Sequence, residues 1–190
     1  SRSSKNFIKS YPEFANPRIE FISGDITTID LLPYADIIIH AATSAKQIDY
    51  IKDSKREKEN TEKGVLNYLR LAKKFYKNSK IVYCSSGAVY GNQPSEVLNI
   101  PEDFPFQALE QLDVLKKDYV LSKRNAEKLI LQSSKEGLNI SIARCFAFIG
   151  KYLPEDGHFA STSFLKSAKM GKDIIVNANH EVIRSYMNAD

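Results

Sequence analysis

Four short runs rich in β-branched residues, at 18–23, 36–40, 80–84 and 139–145, alternate with stretches of helical periodicity. Strands separated by helix-length connections cannot pair as tight hairpins; they line up in parallel, with helices packed on the sheet. Runs such as Asp36-Ile37-Ile38-Ile39-His40 are apolar almost without interruption, which suits strands covered on both faces. Val65, Leu66, Leu69, Ala72 and Tyr76 recur at helical spacing and predict a long helix between the second and third runs. A further helix lies before the fourth run, with an inner stripe through Ala126, Leu129 and Ile130 and with Gly137 near its exit. Beyond Gly150 the pattern loosens to a helix over about 159–170 and a short strand at 174–176. At 190 residues the chain is one domain or a piece of a larger one.

Tyr119 and Lys123 lie four residues apart on that later helix, so they share one face, and it is the inward one. A phenol beside an ammonium can serve as a proton-transfer group. Free tyrosine titrates near 10, so work near pH 7 needs a drop of about three units, or roughly 4 kcal/mol. One cation about 4 Å away, at an effective dielectric near 20, supplies about that much. Upstream, the third run ends in Ser85-Ser86-Gly87-Ala88-Val89-Tyr90-Gly91, where a hydroxyl could hold a substrate oxygen beside the phenol. In open parallel sheets, ligands bind beyond the carboxyl ends of the strands, which is where this loop falls. The second run ends in the small residues Ala41 and Ala42, which fit either a tight turn or the close approach of a ligand to the backbone.

Composition excludes several other readings. Apolar residues make up 43% of the chain and charged residues 26%, the profile of a soluble globular protein. The net charge of +4 is a mild excess spread along the chain, so no nucleic-acid partner is expected. No run approaches a membrane span and no secretory signal heads the chain, so a cytoplasmic location and no membrane partner are expected. Cys84 and Cys145 each end an apolar run and read as buried thiols. His40, His158 and His180 share no metal-ligand spacing, and no metal is expected.

Taken in order, these pieces resemble the extended short-chain dehydrogenase/reductase family, which includes nucleotide-sugar epimerases, dehydratases and reductases. The resemblance implies a Rossmann-like, doubly wound parallel sheet over 1–145, with the start of a smaller substrate-binding region over 146–190. Gly24-Asp25 looks like the segment that contacts adenine in the family, and Ile26 follows it. His40-Ala41-Ala42 is similar to the loop that runs along the cofactor, and Asn60 to the Asn that opens the next long helix. Ser86 matches the catalytic Ser/Thr, Tyr119 and Lys123 the Y-x-x-x-K pair, and Arg184 the Arg that holds a nucleotide-sugar phosphate. The implied cofactor is NAD, bound in part by Tyr119 and Lys123, with NADP the alternative through Arg2; the implied partner is a nucleotide-diphosphate sugar. A homodimer is compatible with the family.

Departures from the pattern shape the expectation. The eight glycines contain neither G-x-G-x-x-G nor G-x-x-G-x-x-G, so the N-terminal strand-helix-strand with its phosphate loop is expected to be missing from this stretch. The chain therefore reads as an internal portion of a longer protein. Gly87-Ala88 stand where the family's dehydratases carry an Asp-Glu pair, which disfavours elimination of water. Ala147 replaces an Asn near the substrate. The expected activity is epimerase or ketoreductase chemistry; the alternatives are a non-catalytic binding module and a dehydratase.

Overall fold

In the computed structural model, which describes residues 4–44, 47–153, 160–176, 178 and 185–188, a three-stranded parallel sheet carries the fold. Its strands are β1 (Ile37–His40), β2 (Lys80–Ser86) and β3 (Ile140–Cys145), with β2 in the centre. A short helix, α1 (Ser4–Ser10), precedes them; α2 (Gln47–Phe75) connects β1 to β2, and α3 (Val114–Lys135) connects β2 to β3. Beyond the sheet lie β4 (Ala147–Ile149), α4 (Ala160–Lys169) and β5 (Tyr186–Asn188), with β4 and β5 paired in parallel. This is the mixed α/β, parallel-sheet architecture expected. Among the described residues no helix is long and apolar enough to cross a membrane.

Local chemistry sets the helix ends. Asp113 caps α3, its carboxylate accepting from Leu115 N at 2.9 Å. The helix stops where Gly137 takes a φ of 100°, a left-handed conformation that lets Leu138 N turn back to Ser133 O at 3.2 Å. Within α2, Asp53 leaves helical geometry and its side chain accepts from Arg56 N at 3.0 Å, so a capped second segment begins there. Asn60 therefore lies inside a helix and does not open one, contrary to the expectation.

Both long helices pack on one face of the sheet. Val65, Tyr68, Leu69, Leu71, Ala72 and Tyr76 of α2 and its C-terminal edge, with Ala126 and Ile130 of α3, close over Ile81 and Tyr83 of β2. Leu66 departs from the predicted stripe: it is half exposed, and Tyr68 and Leu71 take the buried positions. The expected cover on both faces is also only half realised. Ile37 and Ile39, on the opposite face of β1, are 65% and 68% exposed.

Two predicted strands are absent. Residues 18–23 and 174–176 form no ladder, because a strand exists only through a partner and neither segment has one among the described residues. The first is held instead by the packing of Phe21 on Phe7, at 6.0 Å between ring centroids, and by the Ser4–Ser23 hydroxyl pair at 2.7 Å. The segment after it is stitched to α2 by side chains. Asn67 Nδ2 donates to the carbonyls of Ile26 (2.9 Å) and Ile29 (2.8 Å), and the Tyr76 hydroxyl donates to Leu32 O.

Candidate active site

The loops after β1 and β2 leave the same edge of the sheet, since His40 pairs with Tyr83 in the parallel register. Ser86 ends β2 and opens the tight turn Gly87–Tyr90, its hydroxyl accepting from Ala88 N at 3.2 Å. Position 87 has no room for a side chain. A β-carbon there would lie 2.5 Å from the Phe146 ring, which stacks on Tyr90 at 6.5 Å between centroids.

Tyr119 reaches this turn from α3. Burial pushes its phenol above the ordinary tyrosine range, and the neighbouring Ser86 hydroxyl works in the opposite direction. Tyr50 of α2 packs edge-on against Tyr119 at 5.3 Å and reaches toward the hydroxyls of Thr61 and Ser122, both at 3.4 Å. Lys123 is 2% exposed, and burial lowers it to about 8. Its ammonium donates to Cys84 O at 3.0 Å and lies 6.0 Å from the centre of the Tyr119 ring. The expected electrostatic effect is thus not realised. Lys123 sits beneath the phenol on a backbone carbonyl, and Tyr119 is held in its protonated form.

The structure brings Ser86, Tyr119 and Lys123 together and separates the other expected contacts. His40 points into the helix-covered core, 5% exposed, so only its backbone faces the loop edge. Ala41 and Ala42 follow it on the exposed edge. The Asp25 carboxylate accepts from Thr27 N (2.9 Å) and Thr27 Oγ1 (2.7 Å), closing its own turn, and the Ile26 side chain packs on Gly64 of α2. Arg184, Arg2, His158 and His180 lie outside the described residues. Cys84 and Cys145 are free and half-buried, less enclosed than expected.

Sequence reasoning missed the strongest polar feature of the site. Glu127, 2% exposed, accepts from Ser85 Oγ at 2.5 Å and from Arg144 Nε and Nη2 at 3.1 and 2.9 Å. Arg144 Nη1 continues to the Tyr90 hydroxyl at 2.7 Å and to Glu102 O at 2.6 Å. Arg124 adds bonds to Val89 O (2.8 Å) and Gln107 O (2.9 Å), and both guanidiniums lie against Phe106. A signal was present: Glu127 falls on the inward stripe four residues beyond Lys123, and Arg144 interrupts an apolar strand. A charge in either place requires a partner.

A cofactor can be weighed against these groups. An ammonium has three protons, and Cys84 O takes one from Lys123, which leaves two donors close to the Tyr119 ring. That set fits the sugar and ring end of a dinucleotide. No glycine-rich helix start for a pyrophosphate occurs among the described residues.

No curated protein matches the chain by sequence. Among solved structures, the UDP-glucuronic acid 4-epimerase of Bacillus cereus, in complex with UDP-glucuronic acid and NAD, is 23% identical with a TM-score of 0.75, over 97% of this chain and 55% of its own. The dTDP-glucose 4,6-dehydratase of Bacillus anthracis, in complex with NAD, is 18% identical with a TM-score of 0.73, over 95% and 55%. RMD from Pseudomonas aeruginosa, complexed with NADPH, is 27% identical with a TM-score of 0.63, over 80% and 50%. The chain spans about half the length of each of these structures. The model of the NAD dependent epimerase/dehydratase family matches residues 3–190, and the chain belongs to that family.

Proposed function

We propose that the chain carries the reaction site of an NAD(P)-dependent nucleotide-sugar epimerase or ketoreductase, with Ser86, Tyr119 and Lys123 as its catalytic residues. The observation that carries this reading is their convergence at the carboxyl end of β2, with Tyr119 beside the Ser86 hydroxyl and Lys123 buried beneath. When bound, the nicotinamide supplies the acceptor or donor of hydride. Tyr119 exchanges a proton with the oxygen on the reacting sugar carbon: it takes the hydroxyl proton as the alcohol is oxidised and returns one as a ketone is reduced. Ser86 hydrogen-bonds the same oxygen and orients it. Lys123, buried beneath the phenol, holds the ribose. A protonated Tyr119 is the form that donates, so the site at rest is set for the reductive half of either reaction.

The surroundings support redox chemistry over dehydration. Gly87 and Ala88 offer no carboxyl group, and Phe146 occupies the space that a side chain at 87 would need. In this reading, residues 1–145 hold the dinucleotide, NAD or NADP, with Ala41, Ala42 and the backbone of His40 alongside it. Asp25 and Ile26 stand toward the adenosine half, and Asn60 stands near the reaction site. Residues 146–190 begin the substrate-binding region, where Arg184 takes the diphosphate.

The test incubates the protein, with NAD or NADPH, against UDP-glucose, UDP-glucuronic acid and dTDP-glucose, and identifies products by NMR. Turnover without added reduced cofactor marks an epimerase; a requirement for it marks a reductase. Tyr119→Phe is expected to lower turnover by roughly 100-fold or more, the scale of a lost general acid–base group, with dinucleotide affinity by calorimetry unchanged. Undiminished turnover in that variant removes Tyr119 from the role. Tight dinucleotide binding with no sugar converted supports the non-catalytic module instead.

A further inference from the structure

The Glu127 network joins the parts that must stay in register for the proposed chemistry. Tyr119, Lys123 and Glu127 succeed one another at four-residue intervals on α3, so the helix carries the proton donor, the cation and this carboxylate on one inward face. Ser86 belongs to a different element, the end of β2. Its position relative to Tyr119 depends on how α3 is docked on that strand end, and Glu127 makes the docking contacts on both sides of it. Before Ser86 in sequence, Ser85 donates to Glu127 Oε1 at 2.5 Å. After it, the turn Gly87–Tyr90 is tied back through the Tyr90 hydroxyl, which Arg144 Nη1 meets at 2.7 Å while its Nε and Nη2 grip Glu127.

The Arg144 guanidinium makes four hydrogen bonds, and both carboxylate oxygens of Glu127 accept. A buried carboxylate with a fork of guanidinium bonds is directional as well as charged, and such a pair holds geometry better than an apolar contact does. Resting on the reading of Ser86, Tyr119 and Lys123 as the reaction site, we propose that Glu127, acting through Ser85 and Arg144, is the positioning residue that holds the Ser86 hydroxyl against the Tyr119 phenol.

The groups around that phenol are Ser86, Tyr50, Cys145 and Lys123, and of these the Ser86 hydroxyl is the one that draws its titration downward. Loosening Ser86 therefore has a signature that loss of stability alone does not produce: Tyr119 titrates at higher pH. This can be read in the cofactor-free protein by NMR of ring-labelled tyrosine, with Tyr119→Phe identifying the resonance.

The experiment compares Glu127→Gln, Arg144→Lys, Ser85→Ala and Tyr90→Phe with the unaltered protein. Glu127→Gln is expected to raise the titration of Tyr119 and to lower kcat about 10- to 100-fold per folded site, leaving KM for the dinucleotide unchanged, the scale of a misplacement of about 1 Å. Arg144→Lys, which removes the fork but keeps the charge, gives a smaller change of the same kind. Ser85→Ala and Tyr90→Phe each cut one arm and leave the ion pair in place, so they decide the matter if Glu127→Gln does not fold; each is expected to shift Tyr119 upward and lower kcat several-fold. The double variant of Ser85→Ala with Tyr90→Phe is expected to fall short of the product of the two single effects, because both act on one residue. An unchanged Tyr119 titration in the folded variants overturns the proposal, whatever happens to melting temperature. If Tyr119→Phe retains full activity while the titration shifts appear, the reaction-site reading fails and the positioning geometry stands by itself.

Discussion

Two polar clusters are buried under the same pair of helices, and they are built in opposite ways. Around Glu127, the carboxylate and the guanidinium of Arg144 meet hydrogen-bond partners at 2.5–3.1 Å on β2, β3 and the turn after Ser86. Around His40, both ring nitrogens and the hydroxyls of Tyr68 and Tyr83 are buried without a hydrogen-bond partner among the described residues. There the rings pack on one another instead, Tyr68 edge-on to His40 at 4.5 Å and Tyr83 at 5.5 Å. The difference follows from charge. A carboxylate cannot be buried without strong donors, whereas a neutral imidazole or phenol can, at a cost of about 1–3 kcal/mol per unmet group. The second cluster responds by staying neutral: burial lowers His40 to about 4 and pushes the phenols of Tyr68 and Tyr83 well up. One cluster is fixed in direction by its bonds, the other only in shape by its rings.

The sharpest way to break this contrast is to remove one charge from the bonded cluster. Glu127→Leu leaves Arg144 without its carboxylate and is expected to cost about 3–5 kcal/mol in urea unfolding, whereas His40→Phe, of similar shape, is expected to be neutral or stabilising. Equal losses in the two variants would erase the distinction. Next in size is the acid response of His40. Between pH 6.5 and 4 the unfolded chain binds a proton that the folded one refuses, so stability falls as pH drops through that window, by about 3 kcal/mol, and then levels off. His40→Phe should flatten that part of the stability curve; an unchanged slope would show that other groups carry it. The smallest effect concerns the unmet hydroxyl. Tyr68→Phe is expected to leave stability unchanged or to raise it by up to about 1 kcal/mol, and a loss beyond that would mean the hydroxyl has a partner in solution.

The contrast also marks where sequence reading reached. Tyr119 and Lys123 were legible because helical spacing puts them on the stripe that continues through Ala126 and Ile130, and both side chains do meet Ser86 and β2. Ser86 was legible because it ends an apolar run. The direction of His40 was not legible: a residue that ends a strand faces one side of the sheet or the other according to register, and register depends on the partner strand. Residues 18–23 have the composition of a strand but no partner among the described residues, so their composition alone misled. Leu66 shows the same limit within a helix, where an apolar residue at the margin of the stripe lies half exposed beside α3.

By itself the sequence determined the central order β1, α2, β2, α3, β3, the parallel pairing of those strands, and the placing of Ser86, Tyr119 and Lys123 at positions that could meet. These follow from periodicity and spacing, which are local. Only the tertiary structure decided that Lys123 would bond a backbone carbonyl, that burial would hold Tyr119 protonated, and that Glu127 would join Ser85 to Arg144 across two strands. Each of these depends on distances between residues far apart in the chain, and on how much water the packing leaves around them.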